Sequence, residues 1–283
     1  MATVTKAGGV DIFRAIEVKR PAVDPLGSSV LDHYPAVEST SFGLRNDEGL
    51  WVSYDSIVPE TPIPFADFCA GVFTPIFHNG TWITAETFAV QLGAECMNVG
   101  LDHDDMVEEV KRVFDSNAGS AVEQYLLAHR FTAGDVVEVT GAGTPVSLQA
   151  AVAFLEGYMA MHYVGKPTIH LPRMSASLLG LRVKWIDGKA YTPSGCRIVC
   201  GGGYDTSAEF TGAYPIFATG EVYTEKATDV DVSTYVIPGD GTSGMDNIFQ
   251  TAAERLYRVA VQGPVAKVNV EATGSTFTDG VAS

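Results

Sequence analysis

The sequence predicts an α+β fold, because two helical segments lie among a larger number of short strands. Apolar residues recur at helical spacing over residues 102–130 and again over residues 147–163. From residue 191 to residue 271, turn residues alternate with short apolar runs, which is the pattern of strands. With 283 residues, the chain can form one large domain or two modest ones, and either can bury a core.

The elements can be placed in order along the chain. Residues 1–40 are an irregular arm with one short helical possibility at residues 11–19, and residues 50–58 and 65–77 are extended. The helix over 102–130 is weakened by the sequence Asp-Ser-Asn-Ala-Gly-Ser at 115–120; it kinks there, stops and restarts at Ser120, or continues, and these alternatives stay open. Ser147 or Thr144 can cap the second helix, and a short strand at 168–171 and a short helix at 172–181 follow.

The composition is that of a folded protein with an unusual charge distribution. Apolar residues make up 46% of the chain and charged residues 18%, which excludes a disordered protein and favours a surface covered by partners, although a Gly- and Thr-rich monomer would look similar. The net charge is −16, and residues 46–110 contain twelve Asp and Glu but no Lys or Arg. Such a chain should not bind nucleic-acid phosphates, but it tolerates DNA nearby; solubility alone would also explain the acidity.

The cysteines and the N-terminus indicate a soluble protein made in a cytoplasm. Four cysteines without a CxxC pair are too few for a disulfide scaffold, so free thiols are expected. The first residues lack the apolar core of a signal peptide, and no apolar run approaches the roughly 20 residues that cross a bilayer.

The motif search gives no catalytic, metal or cofactor site. Residues 102–105, Asp-His-Asp-Asp, have metal-ligand types, but at a helix start they are better explained as a capping turn. Residues 201–203 are three glycines without the Lys that a P-loop needs, and we expect a flexible loop there. No GxSxG motif is present, and a carboxylate pair that meets in space stays possible. We therefore expect a protein that is not an enzyme.

The order of these segments resembles the major capsid protein of tailed bacteriophages, the Hong Kong 97-type fold that encapsulin shells share. Residues 102–131 look like the spine helix of that family, and residues 148–158 look like the first helix of its axial domain. Residues 191–199 (Tyr-Thr-Pro-Ser-Gly-Cys-Arg-Ile-Val), 216–223 and 254–268 are similar to its later turn and strands. The likeness covers roughly residues 100–271, and it lies in the order of the segments.

The resemblance implies a division of the chain and a role in assembly. The expected parts are an N-terminal arm (1–40), an extended loop with the first peripheral-domain strands (41–100), the spine helix and peripheral domain (101–145), an axial domain (146–244), return strands of the peripheral domain (245–271) and a tail (272–283). Copies would form pentamers and hexamers of an icosahedral shell around double-stranded DNA, in a virion assembled in the host cytoplasm. The expected contact residues are Phe13, Arg45, Trp51, Tyr54 and Tyr204.

Partners and alternatives follow from the same resemblance. A separate scaffolding protein and a portal are implied, a decoration protein is possible, the packaged DNA is not bound specifically, and no membrane is involved. Some relatives cross-link a loop Lys to a neighbouring Asn; between Arg20 and Lys111 the only Lys or Arg here is Arg45, so we predict no such cross-link. The alternatives are an encapsulin-like shell around a cargo enzyme and, from another class, a soluble α/β enzyme.

Overall fold

The computed structural model describes residues 5–7, 10–12, 28–39, 49–53, 81–85, 87–97, 103–204, 212–237 and 248–271. The chain divides into two compact units. The first unit comprises Met1–Pro25, Val90–Ala118 and Asp229–Arg255, and the second comprises Leu26–Ala89, Gly119–Thr228 and Leu256–Ser283. The helices of the described residues are α1 (Val30–His33), α2 (His103–His129), α3 (Leu148–His162) and α4 (Arg173–Leu179). Short 3₁₀ turns occur at Gly141–Gly143, Gly180–Arg182 and Gly202–Tyr204.

The predicted long helix is confirmed as α2, and it runs without interruption through residues 115–120. The small polar residues of this stretch bond to the helix itself: the Ser116 hydroxyl and the Asn117 amide both donate to the carbonyl of Val113, at 2.9 and 2.8 Å. These side chains therefore do not compete for backbone N–H groups, and the helix continues. Asp104 and Asp105 lie in its first turn, where carboxylates interact favourably with the positive end of the helix dipole.

Helix α3 is also confirmed, within one residue of its predicted start and end. The Ser147 hydroxyl accepts a hydrogen bond from the Ala150 amide, so Ser147 rather than Thr144 is the N-cap. The short strand and short helix predicted next are present as Thr168–His170 and α4.

The second unit is built on a seven-stranded mixed sheet. Its strands, in spatial order, are β7 (Val137–Glu138), β16 (Ala266–Val270), β12 (Tyr214–Thr219), β8 (Thr168–His170), β11 (Arg197–Val199), β10 (Lys189–Tyr191) and β9 (Lys184–Ile186). Strands β8 and β11 are parallel, as are β16 and β7, and the other pairs are antiparallel.

One face of this sheet forms the main core with α3 and α4. Leu155 and Met159 of α3 are fully buried, and they belong to one cluster with Ile169, Ile198 and Ile216 of the sheet. Burying each such side chain contributes about 1.5–3 kcal/mol, so this cluster is the main source of stability in the unit. The sheet therefore fixes the positions of α3 and of the β9–β10 hairpin.

The remaining strands form smaller sheets. Strand β15 (Ile248–Val261) is the longest; in the first unit its residues 248–254 pair antiparallel with β14 (Asp231–Ile237). In the second unit its residues 257–261 pair antiparallel with β13 (Val222–Ala227), which pairs parallel with β3 (Val37–Ser39). The others are β1 (Thr5–Ala7) with β2 (Val10–Ile12), β4 (Gly49–Ser53) with β5 (Thr81–Ala85), and β6 (Thr87–Met97), which pairs with β15.

The N-terminal segment differs from its prediction in two places. A helix was expected over residues 11–19, but residues 11 and 12 belong to β2, and residues 13–19 lie outside the described residues. Residues 30–33 form α1, which the prediction missed although Ser29 and Asp32 make a capping box. The expected strand at 50–58 is present as β4 over its first residues, and the run at 65–77 lies outside the described residues.

Candidate assembly surfaces

A buried carboxylate on α2 holds two backbone segments in place. Glu123 is fully buried, and its Oε1 and Oε2 atoms accept hydrogen bonds from the amides of Val30 and Gly203, each at 2.9 Å. An ionised carboxylate is costly to bury unless it is hydrogen-bonded, and these amide donors compensate part of that cost. Glu123 therefore attaches the start of α1 and the glycine-rich turn to the same point of α2.

The three glycines at 201–203 are a packing feature, so the expectation of a flexible loop was wrong. Gly201 and Gly203 are buried, and Gly202–Tyr204 forms a 3₁₀ turn. A Cβ on Gly201 would lie 2.1 Å from Oε1 of Glu123, and one on Gly203 would lie 2.2 Å from the carbonyl oxygen of Ser120. Only glycine leaves room for this close approach to α2.

The segment before α1 is fixed by a serine that bonds three groups. The Ser28 hydroxyl lies 2.9 Å from the Ile198 carbonyl oxygen, 2.9 Å from the Ala190 amide and 2.9 Å from Nε2 of His33. The hydroxyl has a single proton, which it donates to the carbonyl, so His33 donates from Nε2. Burial, with Lys189 nearby, lowers the pKa of His33 to about 4. Residues 28–34 are thereby fastened to the sheet.

A second attachment follows at Tyr34. The Arg197 guanidinium donates to the Tyr34 hydroxyl at 2.8 Å, lies 4.9 Å from the centre of its ring, and pairs with Glu221 at 2.9 Å. The Tyr34 hydroxyl also bonds the Thr168 hydroxyl, and the Thr224 hydroxyl donates to the Tyr34 carbonyl at 2.7 Å. Tyr34, just before β3, is therefore held by residues of three different strands, β8, β11 and β13.

Tyr204, one of the predicted contact residues, lies inside the chain. It is 3% exposed, and its hydroxyl is 2.8 Å from Nδ1 of His170, whose Nε2 is 2.9 Å from the Thr219 hydroxyl. Thr219 donates to the Gly220 carbonyl, so it accepts from Nε2 of His170, and Tyr204 donates to Nδ1. Burial lowers the pKa of His170 to about 3 and raises that of Tyr204. We therefore omit Tyr204 from the surface available to a neighbour.

The other predicted contact residues lie in the N-terminal hundred residues. Trp51 belongs to β4, opposite Ile83 of β5. Phe13, Arg45 and Tyr54 lie outside the described residues. Their role stays a prediction.

Helix α3 exposes a second apolar face that the sequence analysis did not single out. Its exposed residues include Phe154, which is 48% exposed, Met161, which is 64% exposed, and the small residues Ala153, Gly157 and Ala160. Glu156 is the only Asp, Glu, Lys or Arg in the helix. A helix that is apolar on every side is normally buried on every side. The signal was present in the sequence as the near absence of charge from residues 148–162.

The described residues contain no cluster of metal ligands. No group of three or more His, Cys, Asp or Glu side chains is arranged to hold an ion there. Cys196 and Cys200 are free, buried thiols, and burial raises the pKa of both. In the same part of the chain, no helix combines the length and the apolar character that crossing a membrane requires.

The fold is similar to that of a solved capsid chain and of chains from two mycobacteriophages. The solved capsid of an empty GTA particle is similar over 91% of this chain and 94% of that chain, with 13% identity and a TM-score of 0.53. A chain from Mycobacterium phage Adephagia is similar over 89% and 92%, with 16% identity and a TM-score of 0.50, and one from Mycobacterium phage Cain over 91% and 96%, with 14% identity and a TM-score of 0.50. No family model and no curated protein matches the sequence.

These similarities confirm the predicted α+β capsid fold. Identities of 13–16% are too low to transfer residue roles, so the likeness concerns the fold. The proposed division into arm, extended loop, peripheral domain and axial domain stays a prediction.

Proposed function

We propose that this chain is the major capsid protein of a phage, the repeating subunit of an icosahedral shell built from pentamers and hexamers around double-stranded DNA. The observation that carries the proposal is the fold, which matches a GTA capsid chain over nearly the whole of both chains. Because the likeness extends over 91% of this chain, it includes far more than one common supersecondary motif. The proposal assigns no reaction to the protein.

The outer face of α3 supports a subunit role. Phe154, Met161 and the neighbouring Val164 are 48%, 64% and 69% exposed, and residues of this size cluster on soluble proteins mainly where a partner covers them. We propose a second copy of this chain as that partner. A ring of identical subunits uses heterologous contacts, in which one face meets a different face of the next copy.

The charge of the chain supports a container for DNA. With a net charge of −16, the shell repels a packed polyanion and does not retain it on its wall. The protein would then be assembled in the host cytoplasm and would reside in the virion capsid. Its partners would be a separate scaffolding protein and a portal, and a decoration protein is compatible with the same shell. Phe13, Arg45, Trp51 and Tyr54 belong to the proposed contacts between copies.

Electron microscopy of the purified chain tests this proposal. The chain would be expressed alone and together with candidate scaffolding proteins from the same genome, and the particles would be imaged in negative stain. Closed shells of uniform diameter support the proposal, whereas compact oligomers of a few subunits under every condition contradict it. Uniform shells formed by the chain alone would contradict only the need for a scaffolding protein.

Boiled particles on a denaturing gel test the predicted lack of a cross-link. Between Arg20 and Lys111 the only Lys or Arg is Arg45. No lysine is therefore available in this region for an isopeptide bond. We expect a single band at the mass of the monomer, 30.1 kDa. A ladder of higher masses would contradict this expectation without affecting the proposed shell.

A further inference from the structure

The two signs of charge are separated along this chain. Residues 46–110 contain twelve Asp and Glu and no Lys or Arg. Residues 157–204 have the opposite bias, with a single acidic residue, Asp187. Six of the eighteen Lys and Arg of the protein lie in this second stretch: Lys166, Arg173, Arg182, Lys184, Lys189 and Arg197. A third of all positive charge is therefore concentrated in about a sixth of the sequence.

Part of this positive charge lies on an exposed hairpin, which we call the basic hairpin (residues 182–191). Its strands are β9 and β10, joined at Asp187 and Gly188, whose φ angles of 50° and 75° are those of a tight hairpin turn. Lys184 pairs with Tyr191 and Ile186 pairs with Lys189, so these four side chains share one face of the hairpin.

The cations of the basic hairpin have no acidic partner among the residues that the structure describes. Arg182 and Lys184 are exposed, and among the residues that the structure describes, no carboxylate forms a salt bridge with either of them or with Lys189. The Lys184 ammonium donates to the Pro193 carbonyl at 3.3 Å. Within the described chain, their charge is therefore not neutralised.

Apolar side chains accompany the cations. Trp185 is 49% exposed with the Arg173 guanidinium 5.6 Å from the centre of its ring, and Ile186 is 55% exposed. β9 is the last strand of the seven-stranded sheet, and lysines commonly protect such an edge from pairing with other strands. That protection explains Lys184, but it does not require a half-exposed tryptophan and isoleucine beside it. Aromatic residues and arginines, such as Trp185 and Arg173, are enriched at contact surfaces between proteins.

A complementary surface lies at the start of α2. Asp104, Asp105 and Glu108 are exposed, and none of them forms a salt bridge within the described chain, whereas the neighbouring Glu109 is paired with Arg112 at 2.7 Å. We call these three carboxylates the acidic turn. It belongs to the stretch of the sequence that has no Lys or Arg; the nearest cations along the chain are Lys111 and Arg112, one turn further along α2, and Arg112 is paired with Glu109.

We propose that the basic hairpin of one copy binds the acidic turn of a neighbouring copy. This inference rests on the proposed shell function and assigns one of its contacts. The contact is heterologous, so it can repeat around a ring without pairing like charges. Exposed ion pairs contribute little affinity each, but they steer association and fix the register between partners, while Ile186, on the same face as Lys184 and Lys189, supplies apolar area.

DNA is the other partner that a basic surface can accept. The second copy is favoured because it provides three carboxylates without a salt bridge among the described residues, the same number as the cations of the hairpin. The net charge of −16 also opposes the approach of a polyanion. Binding to DNA is therefore an outcome of the test.

Charge reversal in full-length protein tests the contact. One variant carries R182E and K184E, a second carries D104K, D105K and E108K, and a third combines all five changes. The control D135K reverses an exposed acidic residue elsewhere, and K166E reverses an exposed cation outside the basic hairpin. Sedimentation velocity measures the extent of association, at low salt and at 1 M salt, where the Debye length falls to about 3 Å. Thermal unfolding verifies that each variant is folded, and R182Q with K184Q replaces the first variant if it is not.

We expect each single-surface reversal to weaken association at least tenfold, the combined variant to recover most of it, and both controls to behave as wild type. Wild-type association should also decrease at 1 M salt. The inference would be overturned if both single-surface variants associated like wild type. It would also be overturned if the combined variant associated no better than the single-surface variants. A third contradicting result is that R182E/K184E loses binding to a fluorescent DNA duplex while its self-association is unchanged. If wild type forms small oligomers and no shells, the proposed shell function is contradicted, but the same variants still test the contact. If wild type stays monomeric, the shell function and the contact are both contradicted.

Discussion

Helices α2 and α3 present different surfaces to their surroundings. Helix α2 contains eight Asp, Glu, Lys or Arg in 27 residues, and apart from the buried Glu123 they lie on its accessible sides. Helix α3 contains one in 15 residues, and its outer side exposes the large apolar residues Phe154 and Met161. The accessible sides of α2 suit water, whereas the outer side of α3 suits a protein partner. The difference shows that exposure in a single chain does not define the surface of an assembly.

The largest expected effect comes from the one buried charge of α2. Glu123→Ala removes the acceptor of the Val30 and Gly203 amides, and it should lower the free energy of unfolding by about 3–5 kcal/mol, because two buried N–H groups lose their partner. Urea unfolding measures this change. Glu108→Ala, at an exposed position of the same helix, is the matched control and should change stability by less than about 0.5 kcal/mol. Equal effects would show that Glu123 does not anchor these segments.

The two sides of α3 should respond to different measurements. Leu155→Ala on the buried side should destabilise the unassembled chain by about 2–5 kcal/mol, since a core cavity is created. Phe154→Ser with Met161→Ser on the outer side should leave the unfolding curve almost unchanged but reduce the yield of particles, as judged by sedimentation and electron microscopy. If the outer variant assembles like wild type, α3 does not form a contact between copies.

A pH dependence of intermediate size is expected from His170. Its pKa is about 3 in the folded chain and 6.5 when unfolded, so the unfolded state binds more protons between these values. This contribution to stability is complete above pH 6.5 and is lost as the pH falls towards 3. Between pH 6.5 and 5 the loss is about 1.5 kcal/mol, and His170→Gln should remove that part of the pH dependence. Parallel stability curves for wild type and variant would contradict the assignment.

The smallest effect is predicted for Gly157 on the outer side of α3. A Cβ at this position meets no atom within 4 Å in the chain, so Gly157→Ala should stabilise the unassembled protein by about 0.5–1 kcal/mol through helix propensity. If a neighbouring copy packs closely there, the same change should reduce particle yield. Gln149→Ala, at another exposed position of α3, serves as the control for both measurements. Increased stability together with unchanged assembly would restrict the contact to Phe154 and Met161.

The sequence predicted the helices well because their signals are local. Ser147 caps α3, the acidic residues mark the start of α2, and apolar residues recur on one side of each helix. It predicted the strands of residues 191–271 as a group but not their pairing, since β8 joins β11 and β12 across long separations in the chain. Glu123 was missed because a glutamate on a helix normally faces water, and only its position beside the 201–203 turn shows its role.

The amino-acid sequence by itself determined the α+β composition, the long acidic stretch, the missing lysines of the loop and the near absence of charge from residues 148–162. These properties depend on residue type and short-range periodicity. Only the tertiary structure decided that Tyr204 is buried, that the three glycines pack against α2, and that α3 and the basic hairpin keep exposed apolar groups. Such features depend on which distant residues meet, because burial and hydrogen bonding are set by spatial neighbours rather than by neighbours in sequence.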